Sequence, residues 1–273
     1  MGGEQVTKTP VVLTIAGSDP YGGAGIQVDA KTIHALGGYA LSVPTALTSQ
    51  NSQGVLEVFA PPVAVLENQL CALLDDMQVD AVKIGMLVNA EIVVSVAKLI
   101  DRYALRNVVL DTVLVSSSGK DLLATDALEV LKAELFPRAD VITPNLPELN
   151  RLLNTDYQGL AEEMDEIGEQ LWRMNVKAAV IKGGHSSTDS CTDYVLQPAS
   201  KPEALFAARV QTTHTHGTGC VLSSALATAL AKGNRLSDST YIAKAFLTAT
   251  LKASDSLKLS YHQLSDNRRE PIL

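Results

Sequence analysis

The sequence predicts an α/β protein built on a mostly parallel central sheet with helices on both faces. Three observations lead there. Short β-rich apolar runs alternate with amphipathic stretches of helical length through most of the chain. The clearest runs, VVLTIA at Val11–Ala16 and AAVIK at Ala178–Lys182, are nearly continuous in apolar residues, as strands covered on both sides are. Polar residues also gather where the runs end: Asp111 closes NVVLD, Asn145 and Glu148 follow VITP, and Lys182 closes AAVIK. Open parallel sheets bind ligands outside the carboxyl ends of their strands, so these groups should converge on one edge.

The elements follow in order. Val11–Ala16 is the first buried strand, and it breaks at the glycine-rich loop Gly17–Gly25. A helix comes next, with Ile26, Ile33 and Leu36 on its buried side and Gly37-Gly38 as its stop. Tyr39–Leu47 and Val55–Phe59 read as strands around a turn at Ser49–Gly54. Pro61–Met77 is an amphipathic helix with proline near its start, where a missing amide costs little. Strands at Ala81–Ile84, Asn107–Asp111, Asp140–Thr143 and Ala178–Lys182 then alternate with helices at Ala90–Tyr103, Thr125–Phe136, Pro147–Leu153 and Leu160–Met174. Tyr194–Leu196 and Leu205–Val210 form a late hairpin, before helices at Val221–Lys232 and near Ser239–Leu257. No repeat, low-complexity tract or linker divides the chain. It reads as one domain over 1–273, with tails of about 1–9 and 260–273 poorly ordered.

Composition narrows the partners. With 273 residues, 46% hydrophobic and 19% charged, the chain is long and apolar enough for one substantial core. Its net charge of −8, with no dense Lys/Arg stripe, disfavours nucleic acid and anionic membrane surfaces. No apolar run is long enough to span a bilayer and Met1–Pro10 has no signal-peptide core, so the cytoplasm is expected. The three cysteines, Cys71, Cys191 and Cys220, are widely spaced and make no CxxC pair, so neither a disulfide framework nor a zinc site is signalled.

The stretch His216-Gly217-Thr218-Gly219-Cys220 organises the functional reading. It is a glycine-rich turn opening a helix on which Leu222, Leu226, Ala229 and Leu230 share one face, while Ser223, Ser224 and Thr228 mark another; Gly233 stops it. The first amides of a helix lack internal partners, and glycine lets a ligand approach them, so the turn suits phosphate or developing negative charge. Cys220 falls in the first turn, where the helix field lowers a thiol pKa. The plainer alternative is a tight turn with Cys220 as a small apolar filler. His214 and His216 lack further metal ligands nearby in sequence, so His216 is expected to shape the loop. No GxxxxGK[ST] loop is present, and Gly22-Gly23-Ala24-Gly25 lacks GxGxxG spacing. A late phosphate-binding turn with strand-end carboxylates and a lysine suits phosphoryl transfer.

Six motifs, in order, resemble those of the hydroxymethylpyrimidine/phosphomethylpyrimidine kinases of thiamin biosynthesis. They are Ala16–Pro20 with Gly22–Gln27 and Asp29; Lys83–Met86; Val109–Asp111; Thr143–Glu148; Lys182–His185; and Thr215–Cys220. The likeness covers about residues 11–257. It implies a ribokinase-like three-layer α/β/α fold, ATP and Mg2+ as cofactors, and a homodimer. It also implies the reaction: ATP phosphorylates 4-amino-5-hydroxymethyl-2-methylpyrimidine, and a second ATP converts the monophosphate to the pyrophosphate.

The resemblance assigns roles by position. Asp29 would accept a hydrogen bond from the exocyclic amine of the substrate; its alternative is a solvated helix acid. The Gln50 amide would pair with the ring nitrogen and the amine, or else serve a turn. Gly17 would let backbone approach the ring, with Met86 and Val113 as apolar walls or plain core residues. Asn145 and Glu148 match an NxxE pattern that organises magnesium and phosphate oxygens, which is compatible with a helix-capping role. Asp111 would join the metal network and Lys182 would neutralise phosphate. The amides of Thr218, Gly219 and Cys220, following Gly217, would form the anion hole, with the Cys220 thiol as base or bystander.

The chain departs from the family pattern at Tyr21, at Thr112, and in lacking a Gly-rich, His-containing ending over Leu257–Leu273. The last bears on the second phosphorylation and on assembly. A pyridoxine/pyridoxal kinase of the same subfamily and a non-catalytic pyrimidine-binding protein are the competing readings.

Overall fold

The computed structural model describes residues 8–116, 119–184 and 190–254. The expected disordered tails, apart from residues 8 and 9, and the His185 position of the fifth motif lie outside these residues, as does the Leu257–Leu273 ending. In chain order the elements are β1 (Val11–Ser18), α1 (Gly25–Ala35), β2 (Tyr39–Asn51), β3 (Gly54–Phe59), α2 (Val63–Asp76), β4 (Ala81–Ile84) and α3 (Ala90–Arg102). There follow β5 (Val108–Leu110), α4 (Ala127–Leu135), β6 (Val141–Ile142), α5 (Leu146–Leu153), α6 (Met164–Arg173) and β7 (Ala179–Ile181). The order ends with β8 (Ser190–Leu196), β9 (Glu203–Ala208), α7 (Thr218–Ala231) and α8 (Leu236–Ala253).

The nine strands among the described residues join one sheet in the order β3-β2-β1-β4-β5-β6-β7-β8-β9. Pairings from β2 through β1, β4, β5 and β6 to β7 are parallel. The two margins turn antiparallel, with β3 on β2 at one side and β8 and β9 beyond β7 at the other. Strand periodicity sorts the side chains into two layers. Val11, Leu13 and Ile15 of β1 pack with residues of α2 to α6, whereas Val12 packs with α1, α7 and α8. This is the three-layer α/β/α arrangement with helices on both faces.

Local chemistry sets the element ends. Asn89 caps α3 by accepting the Ile92 amide at 3.0 Å. Asn145 and Glu148 close a reciprocal capping box on α5. Gly233 adopts φ +85° just past the Lys232 cap of α7, as a helix stop requires.

The structure differs from the sequence expectations at several element boundaries, as at β8 (Ser190–Leu196) and β9 (Glu203–Ala208). The turn at Ser49–Gly54 is mostly strand, since β2 runs on to Asn51 and pairs Gln50 with Val55. The helix expected at Leu160–Met174 opens with a separate 3-10 turn at Ala161–Glu163. The serine and threonine face of α7, which the sequence separates from the apolar one without placing it, is buried: Ser223, Ser224 and Thr228 are all fully buried.

Candidate active site

A cavity of about 970 Å3 runs along the carboxyl ends of the parallel strands. Its lining includes Gly17 near the end of β1, Met86 after β4, Asp111 after β5, Asn145 after β6 and Lys182 after β7, together with the start of α7. The convergence expected of an open parallel sheet is realised.

The start of α7 is packed against both the glycine loop and the charged strand ends. Gly217 caps it at φ +79°, and a Cβ there would meet the Gly23 carbonyl oxygen at 1.8 Å. Only glycine meets both demands. A Cβ on Gly219 would come within 3.4 Å of Asp111 Oδ2 and 3.5 Å of Lys182 Nζ. The backbone amides of Gly219 and Cys220 make no hydrogen bond among the described residues. The Thr218 amide, expected in the anion hole, turns back to the Thr215 carbonyl at 3.3 Å. The hole is therefore narrower than the sequence suggested.

Facing those amides is a cluster of two carboxylates and an ammonium. Lys182 Nζ lies 2.9 Å from Asp111 Oδ1 and 3.6 Å from Glu148 Oε2. Thr143 Oγ1 donates to Asp111 Oδ1 at 3.1 Å and Ser223 Oγ to Oδ2 at 3.2 Å. Burial would raise the Asp111 carboxyl, but the ammonium groups of Lys182 and Lys83 hold it below its ordinary range. Glu148 goes the other way, raised by burial despite Lys182. Asp111 and Glu148 thus keep Lys182 charged, its pKa above the usual lysine range even though burial opposes this.

Two of these findings bear on a metal ion. Asp111 Oδ1 carries Lys182 and Thr143, whereas Oδ2 accepts only Ser223 among the described residues, so Oδ2 is the oxygen through which Asp111 would join a metal network. Glu148 uses Oε2 for the Asn145 amide, Thr112 and Lys182, while its Oε1 has no hydrogen bond among the described residues. No cluster of three or more His, Cys, Asp or Glu that could hold a metal occurs among the described residues. The donor set would suit a magnesium ion held mainly through water and phosphate, with Glu148 as the carboxylate the protein offers. Asn145 commits its side-chain oxygen to the Glu148 amide at 2.8 Å, which leaves its NH2 group for phosphate.

The four residues expected at a substrate ring share the same cavity. Gly17, Gln50, Met86 and Val113 all line it. A Cβ on Gly17 would lie 3.0 Å from Met86 Sδ, so the glycine is what lets backbone and thioether close on the same space. Thr48 Oγ1 donates to Gln50 Oε1 at 3.3 Å, and Gln50 Nε2 lies 3.4 Å from His216 Nε2. His216 shapes the loop as expected: its Nε2 is 3.0 Å from Asp19 Oδ2, and Asp19 also accepts the amides of Tyr21, Gly23 and Ala24. Burial opposes ionisation of Asp19, but the His216 hydrogen bond and those amides hold its carboxyl below the ordinary value. The Tyr21 ring stands 6.3 Å from the His216 ring, tilted by 44°.

Asp29 corrects the sequence reading. It is wholly buried and does not line the cavity. Lys83 Nζ binds both of its oxygens, at 2.9 and 2.8 Å, Thr14 Oγ1 donates to Oδ2 at 2.5 Å, and Ser224 Oγ donates to Oδ1 at 2.7 Å. With both oxygens saturated, Asp29 has no room to accept a substrate amine. The helix face that carries it looks into the sheet rather than the cavity. Lys83, unassigned in sequence, does reach the cavity lining although it is fully buried.

The Cys220 thiol, expected as base or bystander, has its pKa raised. Burial pushes it up to about 11, against the ammonium of Lys83 and the Gly25 amide, which favour the thiolate. Desolvation outweighs the helix field here, so the thiol is protonated near neutral pH.

Beyond the cluster the cavity continues between β8, β9 and α8, lined by Val210, Leu247 and Leu251. A second buried pair, Lys244 with Asp193 Oδ2 at 2.8 Å, stands there, and Asp193 Oδ1 accepts the Gly183 amide at 2.8 Å. Neither residue was singled out in sequence. The available signal was a charge inside an apolar strand, TDYVL, and another on the core side of a helix, IAKAF.

Comparison with known proteins agrees with this geometry. A family model described as phosphomethylpyrimidine kinase matches residues 19–265. The chain is 41% identical over 249 residues to the hydroxymethylpyrimidine/phosphomethylpyrimidine kinase of Escherichia coli, an alignment covering 91% of this chain and 93% of that protein. Among solved structures it is similar to phosphomethylpyrimidine kinase from Clostridium difficile, with TM-score 0.79 and 33% identity over 89% of this chain and all of that one. It is also similar to Bacillus subtilis pyridoxal kinase in its ADP complex, with TM-score 0.83 and 33% identity over 92% and 94% of the two chains.

Proposed function

The chain belongs to the phosphomethylpyrimidine kinase family, and we propose that it transfers phosphate from ATP to the hydroxymethyl group of 4-amino-5-hydroxymethyl-2-methylpyrimidine, then to the resulting monophosphate, in thiamine biosynthesis. It is a ribokinase-like kinase. The observation that carries the substrate reading is one cavity joining two chemistries. A wall of Gly17, Gln50, Met86 and Val113 stands at one end, and the Gly219–Cys220 amides face Asp111, Glu148 and Lys182 beside it.

The residues act by positioning and by charge. The Gln50 amide orients the ring through paired hydrogen bonds, while Met86 and Val113 fix its plane. That places the hydroxymethyl oxygen beside the start of α7. The nucleotide takes the remaining cavity, its base against Val210, Leu247 and Leu251. The substrate oxygen then bonds to the γ-phosphorus as the bond to the departing ADP oxygen breaks. Charge on the transferring group is met by the free amides at the α7 start and by Lys182. Glu148 would hold a magnesium ion together with phosphate oxygens, and that ion would supply further charge neutralisation. The neutral Cys220 thiol is not the base; a loose phosphoryl transition state needs little proton removal early, so the hydroxyl proton leaves late, to phosphate or water.

The chain forms a single domain and acts as a homodimer. Support for the dimer lies in Leu47, Leu56 and Phe59, exposed by 53%, 67% and 61% on the β2–β3 margin of the sheet. No helix among the described residues is long and apolar enough to cross a membrane, which is compatible with the expected cytoplasmic location.

A time course with Mg-ATP and hydroxymethylpyrimidine, followed by mass spectrometry, tests the reading. Monophosphate followed by pyrophosphate is the expected result. Accumulation of monophosphate alone removes the second step, and ligand binding without product removes the kinase.

A further inference from the structure

Two lysine–aspartate pairs meet consecutive serines of α7. On one side Ser223 donates to Asp111, which pairs with Lys182. On the other Ser224 donates to Asp29, which pairs with Lys83. The first pair stands at the reacting end of the cavity. The second is fully buried, with both side chains at 0% exposure, and draws together β1 through Thr14, α1 through Asp29, β4 through Lys83 and α7 through Ser224.

Stability does not explain the second pair. A buried ion pair recovers its desolvation cost only in part, and apolar replacements of like volume are often neutral or stabilising. Its surroundings are nonetheless shaped to keep it. A Cβ on Gly85 would come within 2.9 Å of Lys83 Nζ, so the chain carries a glycine directly over the ammonium. The Lys83 side chain ends at the cavity lining, near the Cys220 end of α7, where it also acts electrostatically on Asp111 and Cys220. Asp29 is saturated and lies off the cavity lining, so of the pair only the Lys83 ammonium end reaches that lining.

We propose that Asp29 and Lys83 are positioning residues that fix the start of α7, through Ser224, in register with the Asp111–Lys182 pair, and set a buried positive charge beneath the Gly219–Cys220 amides. α7 is thereby pinned from two sides, one serine per pair. The free amides then need no rearrangement when negative charge develops on the transferring phosphate. Nucleotide binding depends on other walls, so loss of the pair affects turnover rather than capture of ATP. This inference rests on the kinase reading of the same site.

The test is the double variant Asp29→Asn/Lys83→Met, which removes both charges at nearly constant volume and avoids leaving one charge buried alone. Thermal unfolding, kcat, and KM for ATP are measured beside the native protein. The expected result is a melting temperature close to native, kcat lower by about ten- to a hundredfold, and KM for ATP changed less than about threefold; full loss of one direct oxyanion donor costs roughly 10²–10³ in kcat. Native kcat in the folded double variant overturns the proposal and leaves the pair as core filler. A parallel Ser224→Ala variant keeps the ion pair and cuts only its link to α7. It is expected to fold and to lose kcat severalfold with KM for ATP unchanged, so the proposal stays testable if the double variant does not fold; native kcat in this variant overturns it. Failure of the native protein to phosphorylate the pyrimidine removes the kinase reading itself, a result distinguishable from either variant's behaviour.

Discussion

Cys220 shows how two physical effects compete at a single residue. A helix start favours a thiolate, whereas burial favours the thiol, and at this site burial prevails, pushing the pKa up to about 11. The folded value lies above the 9.0 of an unperturbed cysteine, so the protonated thiol is favoured by folding at low pH. That contribution is complete below about pH 9 and fades as pH rises through about 11. Alkylation of the Cys220 peptide by iodoacetamide, quantified by mass spectrometry across pH, is therefore expected to stay slow at pH 7–8 and to climb only toward pH 11. Fast alkylation at neutral pH would restore the thiolate base. Residues at strand ends, such as Asp111, Lys182, Asn145 and Glu148, were legible in sequence because an apolar run followed by a polar residue marks the ligand edge. Asp29 and Lys83 were not. A carboxylate near a helix start gives no sign of whether its face looks into a cavity or into a sheet. A lysine in AVKI reads as a strand-end charge until Asp29 is seen beside it from 54 residues away in sequence.

Helix α7 belongs to the core and to the site at once. Its apolar spacing was readable, but Ser223, Ser224 and Thr228 were assigned only a separate face; they are buried because carboxylates from β5 and α1 and the helix backbone accept from them. Periodicity separates faces but cannot tell a solvent face from one that meets buried acids. Gly217 caps the start of the same helix. Replacing it by alanine demands a φ of +79° from a residue with a Cβ and sets that Cβ against the Gly23 carbonyl. The backbone conformation alone costs about 1–2 kcal/mol, and the clash adds to it. Gly217→Ala is thus expected to lower the denaturant midpoint clearly and to abolish most turnover. An unchanged midpoint would show that α7 does not depend on docking against the glycine loop. Short strands were placed well from their apolar runs, whereas the extension of β2 to Asn51 was hidden, because Ser49–Gln50–Asn51 is polar and reads as a turn.

The molecule as a whole is one sheet with a reactive edge and an apolar margin. The three-layer architecture was visible in the alternation of runs, and the family in six ordered motifs; what the sequence withheld was which charges pair across the sheet. The β2–β3 margin exposes Leu47, Leu56 and Phe59, more apolar surface than an isolated edge tolerates well. Charging it with Leu56→Glu and Phe59→Glu is expected to turn a dimer into a monomer in sedimentation velocity with little change in melting temperature. A native protein that already sediments as a monomer would remove the homodimer.

The central claim is that this cavity acts on an aminopyrimidine. The direct measurement is kcat/KM for hydroxymethylpyrimidine against pyridoxal, each with saturating Mg-ATP, since that ratio reports the difference in transition-state binding. The account predicts a ratio in favour of the pyrimidine that collapses when Gln50 is changed to alanine. A ratio in favour of pyridoxal, or one indifferent to Gln50, would contradict it.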